Sequence, residues 1–154
     1  MEKYILFTNL DQNFAIDVRD IDRIIEFQNP KKIPESVDYL LGIIKYEDSI
    51  LPVIDLNKRL YRQTKKETKD SKIIVVVWKD RYMGVVVDDI LGINDFKEEH
   101  YEESNIDTNV SKEYIAGFIK SENGITIVLN IDEILSAHVE LELMEDIKSD
   151  LHIK

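Results

Sequence analysis

The chain has 154 residues, no cysteine, 44% hydrophobic and 33% charged residues, and a formal net charge of −11. The missing cysteines exclude disulfides and thiolate metal sites, and the negative charge disfavours phosphate backbones and anionic lipid, so nucleic acid is not an expected partner. No apolar run reaches the roughly 18–20 residues that span a bilayer, so no direct membrane insertion is expected. The opening Met1-Glu2-Lys3-Tyr4 lacks a secretion-signal pattern, which gives a cytoplasmic expectation.

In chain order, Tyr4–Leu10 and Phe14–Val18 read as strands around the turn Asp11-Gln12-Asn13, and Ile21–Phe27 gives a third. Gly42–Tyr46 and Ile50–Ile54 follow, joined by the tight polar Glu47-Asp48-Ser49. The charged stretch 61–71 reads as a connector, and Lys58, Arg59, Arg62, Lys65 and Lys66 around it as a solvated basic cluster. Ile73–Trp78 and Tyr82–Val87 flank Lys79-Asp80-Arg81; Leu91–Phe96, Gly117–Lys120 and Ile125–Leu129 complete the strands. Residues 97–112 are acidic and read as a loop or short helix. From Ile131 the near-helical spacing of Ile134, Leu135, Ala137, Leu141, Met144, Ile147 and Leu151 predicts an amphipathic C-terminal helix, approximately 131–150, packed on its own barrel or against a partner.

The chain also repeats itself. Residues 14–27 align without a gap on 83–96, and residues 38–60 on 113–135, with Tyr39/Tyr114, Gly42/Gly117, Lys45/Lys120 and Glu47/Glu122 among the identities. Ile and Val alone could match by composition; ordered Tyr, Gly, Lys and Glu point to two copies of one unit. Five short strands per copy predict an all-β fold of two five-stranded, SH3-like barrels. The doubly apolar runs Ile73–Trp78 and Val85–Val87 imply that the barrels pack together. The expected organisation is a single domain over 1–154, with barrel 1 at 1–60 and barrel 2 at 72–135.

Little in the chain points to catalysis. The three histidines, His100, His138 and His152, lie at no metal-ligand spacing. Asp88-Asp89 is the best carboxylate pair for acid–base work, but its counterpart in the other copy is Arg19-Asp20, so an aspartate capping a turn explains both copies better. None of the five glycines forms a phosphate-cradling loop. No cofactor, no metal and no enzyme activity are expected.

The run Gly42-Ile-Ile-Lys-Tyr-Glu-Asp-Ser-Ile-Leu-Pro-Val-Ile-Asp-Leu56 resembles the signature of the chemotaxis coupling (CheW) family, a Gly-Val-Ile-Asn-Leu-Arg-Gly run followed by Ile-x-Pro-Val-Ile-Asp-Leu. Supporting matches are Phe14-Ala-Ile-Asp-Val18, Gly84-Val-Val-Val-Asp88 and Tyr114-x-x-Gly117, so the resemblance covers essentially the whole chain. It implies a scaffold that couples the cytoplasmic tips of chemoreceptors (methyl-accepting chemotaxis proteins) to the regulatory domain of the histidine kinase CheA, in the cytoplasm at membrane-associated receptor arrays. The alternative is a divergent module serving another signalling or localisation complex without receptor binding.

By the same resemblance the receptor-groove positions are Ile21, Arg23, Gly42, Glu47, Ile73 and Gly84. The family signature carries Asn-Leu-Arg-Gly where this chain has Lys45-Tyr46-Glu47-Asp48, and a glutamate where it has Arg23. Both charges are reversed, which predicts either an Arg23–Glu47 ion pair or two unrelated surface substitutions. Ile21 is a receptor contact or an inward core residue, and Ile73 a contact or simply core. Gly42 and Gly84 give clearance to a partner or meet a constraint of the backbone itself.

Overall fold

The structure, a computed structural model, describes residues 2–34, 37–63, 70–103, 108–122 and 124–135. Eleven strands form among them: β1 Glu2–Asn9, β2 Gln12–Asp17, β3 Ile21–Glu26, β4 Leu40–Tyr46, β5 Ser49–Asp55, β6 Lys72–Trp78, β7 Arg81–Val87, β8 Asp89–Phe96, β9 Tyr101–Glu102, β10 Ile115–Ser121 and β11 Gly124–Leu129. Two short helices, α1 Leu56–Tyr61 and α2 Ile131–Ile134, follow β5 and β11. The ten expected strands all form; β9 is an addition. Of the expected helix over 131–150 only α2 and Leu135 fall within the described residues.

The strands make two sheets, ordered β8-β1-β2-β11-β10-β9 and β3-β6-β7-β5-β4. They are the two SH3-like barrels, here A and B. The expected boundaries at 1–60 and 72–135 do not coincide with sheet membership, because each copy lends its first hairpin to the other. The β1–β2 hairpin pairs with β8 and, in parallel, with β11 through Ile127↔Phe14 and Val128↔Ala15. The β6–β7 hairpin pairs with β3 and, in parallel, with β5 through Val53↔Gly84, Ile54↔Val85 and Asp55↔Val86. Strand periodicity carries no information about which half supplies the neighbour, so the exchange is invisible in the repeat.

The two copies agree in detail. Leu10-Asp11 and Lys79-Asp80 each hold two consecutive left-handed residues, φ 48° and 64° against 51° and 62°, which is the two-residue hairpin turn that matches strand twist. Asp22 and Leu91 are equivalent bulges, skipped in the β3–β6 and β8–β1 registers. Asp55 and Asn130 cap α1 and α2 by accepting from the Lys58 and Glu133 amides at 3.3 and 3.2 Å. Asn9 Nδ2 donates to Asn57 Oδ1 at 2.7 Å, and in the other copy Trp78 Nε1 donates to Asp132 Oδ1 at 3.0 Å. Each lent hairpin is therefore tied at its tip to the helix of the other barrel.

Three apolar cores result. The largest joins both sheets through Phe7, Phe14, Ile16, Ile54, Leu56, Ile74 and Ile134. Barrel B encloses Ile44, Tyr46, Leu51, Val53, Ile73, Val75 and Val86. Barrel A encloses a smaller set, Tyr4, Ala15, Ile119 and Val128. The basic cluster near the connector is not uniformly solvated: Arg59 lies on α1, partly buried, with its Cζ 5.0 Å from the Tyr39 ring centre and 4.8 Å from that of Tyr114. Tyr39 and Tyr114 are equivalent residues of the two repeats. No helix among the described residues is long and apolar enough to cross a membrane.

Candidate functional site

β3 and β4 are the two edges of sheet B, and side chains bring them together. The Tyr46 hydroxyl on β4 donates to Asp22 Oδ2 on β3, and Arg23 Nη2 donates to Glu47 Oε1 at 3.0 Å. The expected Arg23–Glu47 ion pair is present and lies on the closing seam of barrel B. Arg23 Nε also lies 3.6 Å from Asp22 Oδ2, and its Cζ is 5.5 Å from the Tyr46 ring centre. Tyr46 in turn meets Tyr82 edge-on, with ring centres 5.1 Å apart. Burial first, and the bond to Asp22 second, push the Tyr46 phenol above its ordinary range, so it stays a donor at physiological pH.

Glu47 sits in the β4–β5 turn with φ 53°, a left-handed conformation that costs a non-glycine residue about 1–2 kcal/mol. The turn aims its carboxylate back over the seam. The side chains of Arg23 and Glu47 remain 56% and 47% exposed, so the pair is a surface feature and not a core ion pair.

The remaining sequence-predicted positions separate into surface and support. Ile21 begins β3 and is half-buried against the shared core. Ile73 has no exposed surface and belongs to the barrel B core. Gly84 is buried beside it: a Cβ there would come within 2.9 Å of Ile73 Cγ2 and 3.3 Å of Leu51 and Val53. Gly42 has φ 149°, and a Cβ would lie 2.2 Å from the Lys31 carbonyl oxygen. Both glycines thus meet constraints of this fold itself. The Lys31–Ile43 bridge, with amide-to-carbonyl distances of 2.8 and 2.9 Å, crosses Gly42 from outside β4. Asp22, Tyr46 and Tyr82 were not anticipated, because only the folded seam sets them around Arg23.

Asp88, the candidate acid or base, is a structural carboxylate. Its Oδ2 accepts from the Leu10 amide at 2.8 Å and its Oδ1 from Asn57 Nδ2 at 3.1 Å, which fixes the β1–β2 turn against α1. Asp89 is exposed at the start of β8. The aspartate that holds a turn is therefore Asp88, whose repeat counterpart is Arg19, and not the matched Asp20/Asp89 pair. His100 ends a short 3-10 turn, 3.9 Å from Glu99.

Residues 3–139 match the family described as CheW-like domain. The chain is 30% identical over 138 residues to the chemotaxis protein CheW of Bacillus subtilis, covering 87% of this chain and 86% of that protein. It is 31% identical over 125 residues to the chemotaxis protein CheW of Thermotoga maritima, covering 81% and 82%. The crystal structure of the scaffolding protein TtCheW from Thermoanaerobacter tengcongensis superposes with a TM-score of 0.81 at 25% identity, over 90% of each chain. With the exchanged barrels and the matched signature, these findings place the chain in the CheW-like family of chemotaxis scaffold proteins.

Proposed function

We propose that this chain is a non-catalytic adaptor that joins chemoreceptor cytoplasmic tips to the regulatory domain of the kinase CheA, in the cytoplasm at membrane-associated receptor arrays. Its receptor-facing strip is the barrel B seam, with Ile21, Arg23 and Glu47 as the surface and Gly42, Ile73 and Gly84 as the frame beneath. The observation that carries the reading is the Arg23–Glu47 pair, partly exposed on an ordered seam at two positions that the resemblance assigns to receptor contact. Around it Asp22, Tyr46 and Tyr82 hold the guanidinium on an aromatic face, which preserves a defined local shape although the polarity is reversed.

A titration against a receptor-tip helical hairpin and a CheA regulatory domain from the same cell tests it. Micromolar or tighter binding to both is the expected result. Kinase binding without receptor binding would reduce the protein to a specialised paralogue, and binding to neither would leave only the fold.

A further inference from the structure

Barrel A has a smaller apolar core than barrel B. Ile25, Leu41, Tyr46, Leu51 and Val86 pack in or against the barrel B core, and their repeat counterparts are Asn94, Ala116, Ser121, Thr126 and Asp17. Two of these counterparts, Asp17 and Ala116, line a cavity of about 460 Å³ that opens to solvent. Tyr4, Tyr101 and Trp78, the last from the end of β6, are its aromatic lining residues. Tyr101 is held across Gly117, where a Cβ would come within 2.3 Å of its ring, and its hydroxyl donates to the Ala116 carbonyl at 2.7 Å. The aromatic wall is thus fixed in place.

Among the described residues three aspartates line this cavity, Asp17, Asp20 and Asp132, and two of them are spent. Asp17 takes the Arg19 guanidinium at 2.6 and 3.1 Å, and Asp132 takes the Trp78 indole N–H at 3.0 Å. Asp20 is half-buried and receives neither a hydrogen bond nor an ion pair from any described residue. Burial, and then the nearby Asp17 charge, hold its carboxyl above the ordinary range. A carboxylate that is partly desolvated and unpaired is stabilised by an incoming cation, and the chain's net charge of −11 draws basic segments toward it.

We propose that this cavity is a docking pocket for an arginine side chain presented by a partner protein, its guanidinium stacked on Tyr4 and Tyr101 and paired with Asp20. A planar guanidinium meets a carboxylate through two parallel N–H donors and stacks on aromatic faces, which a compact ammonium does not match. The pocket's walls come from β1, β2 and the turn after it, the end of β6, β9, β10, β11 and α2; Arg23 and Glu47 are not among its lining residues, although Asp20 directly precedes Ile21 of the barrel B strip.

The test titrates the full chain with N-acetyl-arginine amide and follows the indole N–H resonance of Trp78, the single tryptophan. A saturable shift is expected with the arginine probe and none with N-acetyl-leucine amide. Asp20→Asn, which keeps the shape, should weaken binding at least about tenfold. Ala116→Leu, which restores the residue that barrel B carries at this position, should block the pocket with its charges untouched. The absence of a saturable shift would overturn the proposal. So would equal affinity in both folded variants, or N-acetyl-lysine amide binding as tightly as the arginine probe.

Discussion

Tyr39 and Tyr114, equivalent residues of the two repeats, share a single guanidinium, that of Arg59 on α1. Arg59 Nε also donates to the Ile134 carbonyl of α2 at 3.1 Å, so one side chain ties the helix of barrel B to the helix of barrel A. The two tyrosine carbonyls accept from the Asp55 and Asn130 amides, both at 2.8 Å, so each ring is anchored just ahead of a helix.

Arg59→Ala should therefore destabilise the chain by about 2–3 kcal/mol: it removes a hydrogen bond to the Ile134 carbonyl and two aromatic contacts. Arg59→Lys should recover only part of the loss, because an ammonium keeps the charge but not the planar fork. Urea unfolding of the three proteins checks this; equal stability of wild type and the alanine variant would rule the strut out.

Gly42 and Gly92 share a φ near 150°, at 149° and 147°, and differ in surroundings. The Gly42 Cβ position lies against the Lys31 backbone, and nothing lies within 4 Å of that of Gly92. Gly92→Ala should cost about 1–3 kcal/mol, the conformational strain alone. Gly42→Ala should cost at least about 2 kcal/mol more, because a backbone carbonyl cannot rotate away as a side chain can. Matched denaturation curves isolate the clash, and equal losses would contradict it.

Asp17 and Asp20 should bend the stability–pH curve in opposite directions. The Arg19 hydrogen bond holds the Asp17 carboxyl below its ordinary value, so its contribution is full above that value and is lost as pH falls through the lower folded pKa. Asp20 is raised by burial and by Asp17, so its contribution is present below the ordinary value and is lost as pH rises through the folded pKa. Asp17→Asn should flatten the loss toward acid and lower stability at neutral pH. Asp20→Asn should raise stability at neutral pH relative to wild type. Chemical denaturation from pH 3 to 7 measures both, and two curves bending the same way would contradict the assignment.

The exchange of hairpins predicts that neither half folds alone. Residues 1–63 lack the β6–β7 hairpin that barrel B needs, and residues 70–135 lack the β1–β2 hairpin that barrel A needs. Circular dichroism should show each fragment largely unfolded and their mixture regaining β structure. A stably folded 1–63 fragment would restore the sequential barrels.

What was legible in the chain and what was not follows one line. Runs such as Ile73–Trp78 and turns such as Lys79-Asp80 announce themselves locally, so every long strand was placed to within a few residues. The partner of a hairpin is a long-range fact, and the apolar face of β6 fits either barrel. Arg59 reads as one more charge in a basic run because Tyr39 and Tyr114 reach it only after folding. Ile73 and Gly84 sit among groove positions in the family pattern, yet alternation along a strand cannot say that both face the barrel interior. The Arg23–Glu47 pair was legible because two reversed charges are informative together in a way that one is not.

The most direct test of the account is receptor-tip affinity across a charge-swap series at this seam. With both side chains about half exposed, the pair should add only about 0.2–1 kcal/mol to folding, so its effect belongs in partner choice. The measurement is the dissociation constant of a receptor-tip hairpin for wild type, Arg23→Glu, Glu47→Arg and the double variant, with binding to the CheA regulatory domain as the control for folding. The account predicts that each single variant weakens receptor binding, that the double variant recovers more than the sum of the two allows, and that kinase binding is unchanged. Receptor affinities that are identical across all four proteins would contradict it.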